Sequence, residues 1–237
     1  MLVDAVKRVK QAMFPIFKQK VLGQQTEIGV VGTGYFIDDK GHFVTTAHCF
    51  DGASPGTKYL YLGLLPDNLL NPHLEIQEIS RDDQYDIFLG HVDLTGNAYL
   101  SFSSLQAEIG RTVCISGYPL ASITLNPQGG LEVGGVRRYF QPSFILDINM
   151  YNSMSETGQL RIHDGYLIRD IGLFGMSGGP VVDVYGSVMG MQASVTKPRE
   201  SISRDRKIIV ENAVAIRKER IIAQLTASGI GYNLAER

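Results

Sequence analysis

Apolar residues occur along this chain in short runs that alternate with polar ones and are broken by Gly, Pro, Asn and Asp. Short β-rich runs bounded by turn residues read as strands. Runs of this kind are MFPIF, GVVGTGYFID, GHFVTTAH, KYLYLGLL, LEIQEIS, YDIFLGHV, TVCISGYP, SFILDINMY, QLRIHDGYLI, GPVVDVYGSVMGMQAS and KIIVENAVAI. Turn signals such as DDKGH and DVYGS flank several of them and suit hairpins. A helical period is clear only near the end. There Val214, Ile221, Ile222 and Leu225 fall on one stripe and Gly229 follows as a stop signal, which predicts a helix over 214–228. The opening VDAVKRVKQAM is also helical in pattern. Many short strands and few helices predict an all-β barrel or sandwich. The least strand-like stretch, DLTGNAYLSFSSLQAEIG, divides the strands into two nearly equal sets. The expectation is one domain over 1–237, built from β-lobes over 14–100 and 111–213 and the final helix.

Composition narrows the function. With 237 residues, 44% apolar and 19% charged, the chain can bury a sizeable core. A net charge of −2 gives no global reason to bind nucleic acid or an anionic membrane, so binding is expected at a local site. The N-terminal stretch has no apolar run fit for a signal peptide, and no segment approaches a membrane span; a cytoplasmic location is expected. Cys49 and Cys114 do not make a disulfide framework and are expected to be reduced. No His, Cys, Asp and Glu spacing matches a zinc or EF-hand site, and the Gly-Thr-Gly at 32–34 is too short for a phosphate loop. No metal or cofactor is expected.

The chemistry-bearing segments are TTAHCF, YDIFLGHV and FGMSGGPVVD. Attack on an amide by a side chain near neutral pH needs a nucleophile, a base, a group that orients the base, and donors for the oxyanion. Glycines around Ser177 permit a tight turn in which the N–H groups of Gly175 and Ser177 can converge on one point. His48 ends the TTAH strand, and Asp86 begins an apolar strand, where a carboxylate can fix a histidine tautomer. Asp82 and Asp83 are alternative orienting acids; Asp86 is preferred because the apolar run follows it directly. His42, His73, His91 and His163 sit in no comparable context and are expected to be structural or exposed.

The order His, Asp, Ser and the three segments resemble the active-site segments of chymotrypsin-like (trypsin-like) serine peptidases, in particular the disulfide-poor HtrA-like branch, here with no PDZ-like segment. A fixed Gly-x-Ser-Gly-Gly-Pro arises by chance in fewer than about one chain in a thousand of this length, so the match carries weight. The resemblance runs from GVVGTGYFID to ENAVAI. It implies two six-stranded antiparallel β-barrels with the active site between them and a C-terminal α-helix. It also implies a serine endopeptidase working through an acyl-enzyme: His48 as general base and acid, Asp86 as its orienter, Ser177 as nucleophile, Gly175 and Ser177 as oxyanion donors. The alternative is a latent or non-catalytic module that keeps the peptide-binding cleft.

Departures from the secreted digestive members matter too. Met176 stands where those enzymes have an aspartate that receives a new N-terminus, so activation by that salt bridge is unavailable. The site is then either active as made or ordered by something else, such as an activating partner or self-assembly. The resemblance places Ile171 in the S1 pocket, which implies an apolar P1 residue, with Asp170 one position away as the competing choice. It places Gln192, Ala193 and Ser194 on the strand that pairs with a protein or peptide substrate. The mixed-charge stretch TKPRESISRDRK reads as a solvated loop or as a gate over the pocket.

Overall fold

The computed structural model describes residues 2–22, 25–52, 58–65, 73–125, 131–154, 158–196 and 211–236. A first helix, α1 (Val3–Ala12), buries Ala5, Val9 and Ala12 and leads into the first lobe. That lobe contains β1 (Met13–Leu22), β2 (Gln25–Phe36), β3 (His42–Thr45), β4 (Lys58–Leu64), β5 (His73–Glu75), β6 (Gln77–Asp82) and β7 (Ile87–His91). Their order in the sheet is β5-β4-β1-β2-β3-β7-β6, and neighbouring strands pair antiparallel. The two end strands are consecutive in the chain, separated only by Ile76. Counted as one strand bent at Ile76, they close the sheet on itself as the sixth member of a barrel. The run LEIQEIS is therefore split at Ile76, its first residues pairing with β4 and its later ones with β7.

The second lobe begins with β8 (Thr112–Gly117), and a two-stranded ribbon of β9 (Ser122–Leu125) and β10 (Leu131–Gly135) leaves it. Sequence pattern missed this ribbon because its strands are only four and five residues long and the second ends in two glycines. The lobe is completed by β11 (Tyr139–Met154), β12 (Leu160–Ile168), β13 (Pro180–Val182), β14 (Val188–Val195) and β15 (Ala213–Arg217). With β8 they form a closed six-stranded barrel in the order β11-β12-β15-β14-β13-β8.

The final helix differs from expectation. Val214 lies in β15, where Ala213–Arg217 is hydrogen-bonded between β12 and β14, and α2 runs only from Lys218 to Ala227. The barrel needs a strand there, and its pairing overrides the weak helical period at 214–217. Ile221 and Leu225 do face the core from α2.

The two lobes share apolar packing. One cluster joins Val9, Met13, Phe17 and Tyr35 of the first half to Tyr118, Val188, Met191, Ile216 and Ile221 of the second, with Phe102 of the connecting stretch between them. The Tyr118 hydroxyl donates to the Met13 carbonyl at 2.9 Å across the same boundary. Backbone also joins the lobes, with Thr33 N–H of β2 donating to Ser177 O at 2.8 Å. Among the described residues, no helix is long and apolar enough to cross a membrane.

Candidate active site

His48 does not end a strand. β3 stops at Thr45, and the imidazole is carried by a 3-10 turn, Ala47–Phe50, closed by Cys49 N–H to Thr46 O (3.4 Å) and Asp51 N–H to His48 O (3.1 Å). The turn lifts the ring off the sheet, leaving its side chain 27% exposed. Asp86 opens β7 from a left-handed backbone, φ +59°, which aspartate tolerates better than most residues. Two sets of contacts enforce that conformation: Ala47 N–H donates to Asp86 O at 3.3 Å, and the Asp86 side chain accepts twice from His48. Oδ1 takes the His48 backbone N–H at 2.9 Å and Oδ2 takes ring Nδ1 at 2.8 Å. Both acceptors are carboxylate oxygens, so in the neutral ring Nδ1 carries the proton and Nε2 is the free base. Burial by itself would raise the Asp86 carboxyl; the charge and hydrogen bond of His48, then His163 and Arg161, outweigh it and hold the group below the ordinary carboxylate range. Asp82 and Asp83 are occupied elsewhere. Asp82 accepts from the Gln84 and Tyr85 N–H groups, and Asp83 pairs with Arg81 at 2.6 Å.

The second lobe brings Ser177. Leu173 to Met176 form a turn closed by Met176 N–H to Leu173 O at 3.0 Å, with φ +89° at Gly175. A Cβ at Gly175 would sit 2.7 Å from the Tyr118 carbonyl oxygen, so both the dihedral and the close approach require glycine. Among the described residues, the N–H groups of Gly175 and Ser177 have no acceptor. Met176 is fully buried in a second-lobe cluster with Val113, Ile115 and Val181, so an apolar side chain anchors the loop where digestive enzymes use a salt bridge. Thr33, from the middle of Gly-Thr-Gly in β2, ties this loop to the first lobe. Its N–H donates to Ser177 O at 2.8 Å, its hydroxyl donates to Gly175 O at 2.8 Å, and that hydroxyl accepts the Tyr118 N–H at 3.1 Å. No hydrogen bond joins the Ser177 hydroxyl to the imidazole among the described residues.

Of the residues expected to meet substrate, Gln192 and Ala193 are buried in β14, while Ser194 and Ile171 are half-buried. The β13 pairing of β14 ends at Met191, and Gln192 exchanges backbone bonds with Gly178 and Gly179 of the serine loop at 2.7 and 2.9 Å. The Gln192 amide lies against Gly172 and donates to Ser194 O at 2.9 Å. Asp170 is held by Arg169 at 2.9 Å. The charged stretch lies, from residue 197 on, outside the described residues; its feet are tied by Thr196 N–H to Asn212 O at 2.9 Å.

His42 pairs with Asp38 at 2.5 Å and His91 lies 3.1 Å from the Lys40 carbonyl oxygen, so the contacts of both lie outside the His48, Asp86 and Ser177 set. His163 is different: it is buried and lies within electrostatic reach of His48, Asp86 and Arg161. Sequence reasoning missed Thr33, Arg161 and His163 as neighbours of the site. The available cues were small residues inside a strand, which mark close backbone approach, and two basic residues two apart on one strand face.

The model of the trypsin-like peptidase domain matches residues 32–191 of this chain. Over 205 residues, 84% of the chain, it is 26% identical to the uncharacterized protein y4bJ of Sinorhizobium fredii, and it spans 27% of that protein's length. Its structure is similar to the Rv3671c protease from M. tuberculosis in its active form, with a TM-score of 0.66 at 20% identity, covering 98% of this chain and 86% of that one. The HtrA-type protease AlgW with decapeptide gives a TM-score of 0.66 at 15% identity, covering 96% and 67%. The serine endoprotease from Yersinia pestis gives 0.63 at 15% identity, covering 96% and 66%. The structural likenesses speak for the fold and the matched model for the family: this chain belongs to the trypsin-like peptidase domain family.

Proposed function

We propose that the protein is a serine endopeptidase whose reactive set is His48, Asp86 and Ser177. The observation that carries this reading is the pair of contacts from Asp86 to His48, 2.9 and 2.8 Å, which leaves Nε2 of the neutral ring unprotonated, on a turn whose next residue, Cys49, has its Sγ 3.9 Å from Ser177 O. In the reaction, Nε2 takes the Ser177 proton as Oγ attacks the scissile carbonyl, and the Gly175 and Ser177 N–H groups receive the oxyanion. The imidazolium then protonates the leaving amine, and water, activated by the same nitrogen, releases the acyl group. Peptide or protein is the substrate, paired to the β14 edge past Gln192, at Ala193 and Ser194, because the Gln192 backbone is already taken by Gly178 and Gly179 and its side chain is left to line the pocket. The pairing of Asp170 with Arg169 favours Ile171 as the S1 residue and an uncharged, apolar P1 side chain. Cleavage of a peptide library only after Arg or Lys would reverse that preference.

The test is intact-mass labelling with a fluorophosphonate, with Ser177→Ala as control. A single adduct absent from the variant is the expected result. Folded wild-type protein that takes no adduct would replace this reading with that of a non-catalytic cleft.

A further inference from the structure

The buried side of the His48–Asp86 pair is closed by the second lobe. β12 opens with Leu160, Arg161, Ile162 and His163, and its Ile162 N–H donates to Gln84 O at 2.8 Å, which lays the strand against the loop before Asp86. The strand period turns Arg161 and His163 to the same side, and both are buried. Arg161 Nη2 lies 2.5 Å from Asp51 Oδ2 and its Nε 3.5 Å from Asp86 Oδ1. Arg81 holds the other Asp51 oxygen at 2.7 Å. At 3.5 Å the contact with Asp86 is Coulombic rather than a hydrogen bond, and Nε has no hydrogen-bond partner among the described residues.

The Asp86 carboxylate is 1% exposed, and a buried carboxylate stays ionised only where charge or hydrogen bonds compensate it. Both of its oxygens are used on His48, which is uncharged whenever it is ready to act as base. The His163 ring is engaged through Nε2 with Ser153 Oγ at 2.8 Å, and its desolvated position disfavours a proton. Among the described residues, Arg161 is the one permanent cation paired with Asp86.

We propose that Arg161 is a positioning residue for the reactive set: its guanidinium, anchored on Asp51, keeps Asp86 ionised and aimed at His48 between proton transfers. This rests on the reading of His48, Asp86 and Ser177 given above.

The experiment reads the His48 Nδ1–H···Asp86 hydrogen bond directly, as the downfield ring-proton NMR signal assigned by its absence in His48→Gln. Arg161→Gln keeps a planar polar head and removes the charge; Arg161→Lys keeps the charge. The signal is expected to move upfield or vanish by exchange in Arg161→Gln and to persist in Arg161→Lys. Fluorophosphonate labelling should fall about tenfold or more in the first variant and recover to within about threefold of wild type in the second. An unchanged signal in Arg161→Gln overturns the proposal. Should that variant not fold, Asp51→Asn releases the anchor at a partly exposed side chain and is expected to shift the signal the same way; no shift there also overturns it. A wild-type protein that does not label but whose signal responds to Arg161 would sink the peptidase reading and leave this one standing.

Discussion

Burial pushes the His163 imidazole down to about 4; Asp86 opposes that, while His48 and Arg161 add to it. The unfolded chain binds a proton at an ordinary histidine value of about 6.5, so between that pH and 4 it takes up a proton that the folded chain refuses. Stability is therefore full above about pH 6.5 and falls as pH drops, by on the order of 3 kcal/mol at pH 4. Asp86 acts lower: its depressed carboxyl contributes stability that is lost only below the ordinary aspartate value of about 3.9. Urea unfolding at pH 7 and 4.5 should show a smaller acid loss for His163→Gln than for wild type; equal losses would contradict the assignment. Thr33 gives a second residue-scale expectation. Thr33→Val keeps the β-branched shape and removes the hydroxyl that fixes the Gly175 carbonyl, leaving two backbone partners unmet. It should cost about 1–3 kcal/mol and slow fluorophosphonate labelling about tenfold or more, because the proposed oxyanion donors, the Gly175 and Ser177 N–H groups, depend on that turn. Labelling at the wild-type rate would show that Thr33 does not position the turn. At this scale the sequence was legible where chemistry is written into a motif, as at Ser177 and His48. It was silent about Thr33 and Arg161, whose partners lie 142 and 110 residues away in the chain.

Strand pairing explains the misread end of the chain. Residues 213–217 have a sparse helical stripe, yet Val214 and Ile216 are buried in β15, whose backbone groups are taken by β12 and β14. The crossing of β12 and β15 is tight: a Cβ at Gly165 would lie 1.7 Å from the Ala215 carbonyl oxygen. Gly165→Ala should force those strands apart and lower stability by about 2–4 kcal/mol, read as a fall in Tm. A Tm within a degree or so of wild type would mean that the strands do not meet there.

Across the whole molecule, the shared cluster argues that neither lobe is a folding unit by itself. We take residues 14–100 and 111–213 as lobes of one domain, because Tyr118, Val188 and Met191 bury against Met13, Phe17 and Tyr35. Removing either lobe would expose much of that apolar surface. A single cooperative transition in calorimetry, with van't Hoff and calorimetric enthalpies equal, is expected. Two resolved transitions would divide the chain into independent domains.

The pattern of short β-rich runs and three short motifs determined the architecture by themselves and nominated His48, Asp86 and Ser177 as the proposed reactive set. Alternation records which face of a strand is buried, and motif chemistry needs only a few neighbouring residue types. Tertiary structure alone decided that His48 leaves the strand on a 3-10 turn, that Thr33 holds the serine loop, and that Arg161 and His163 close the site from behind. Those roles come from burial and charge shared between segments far apart in the chain, and local sequence does not encode a distance between them.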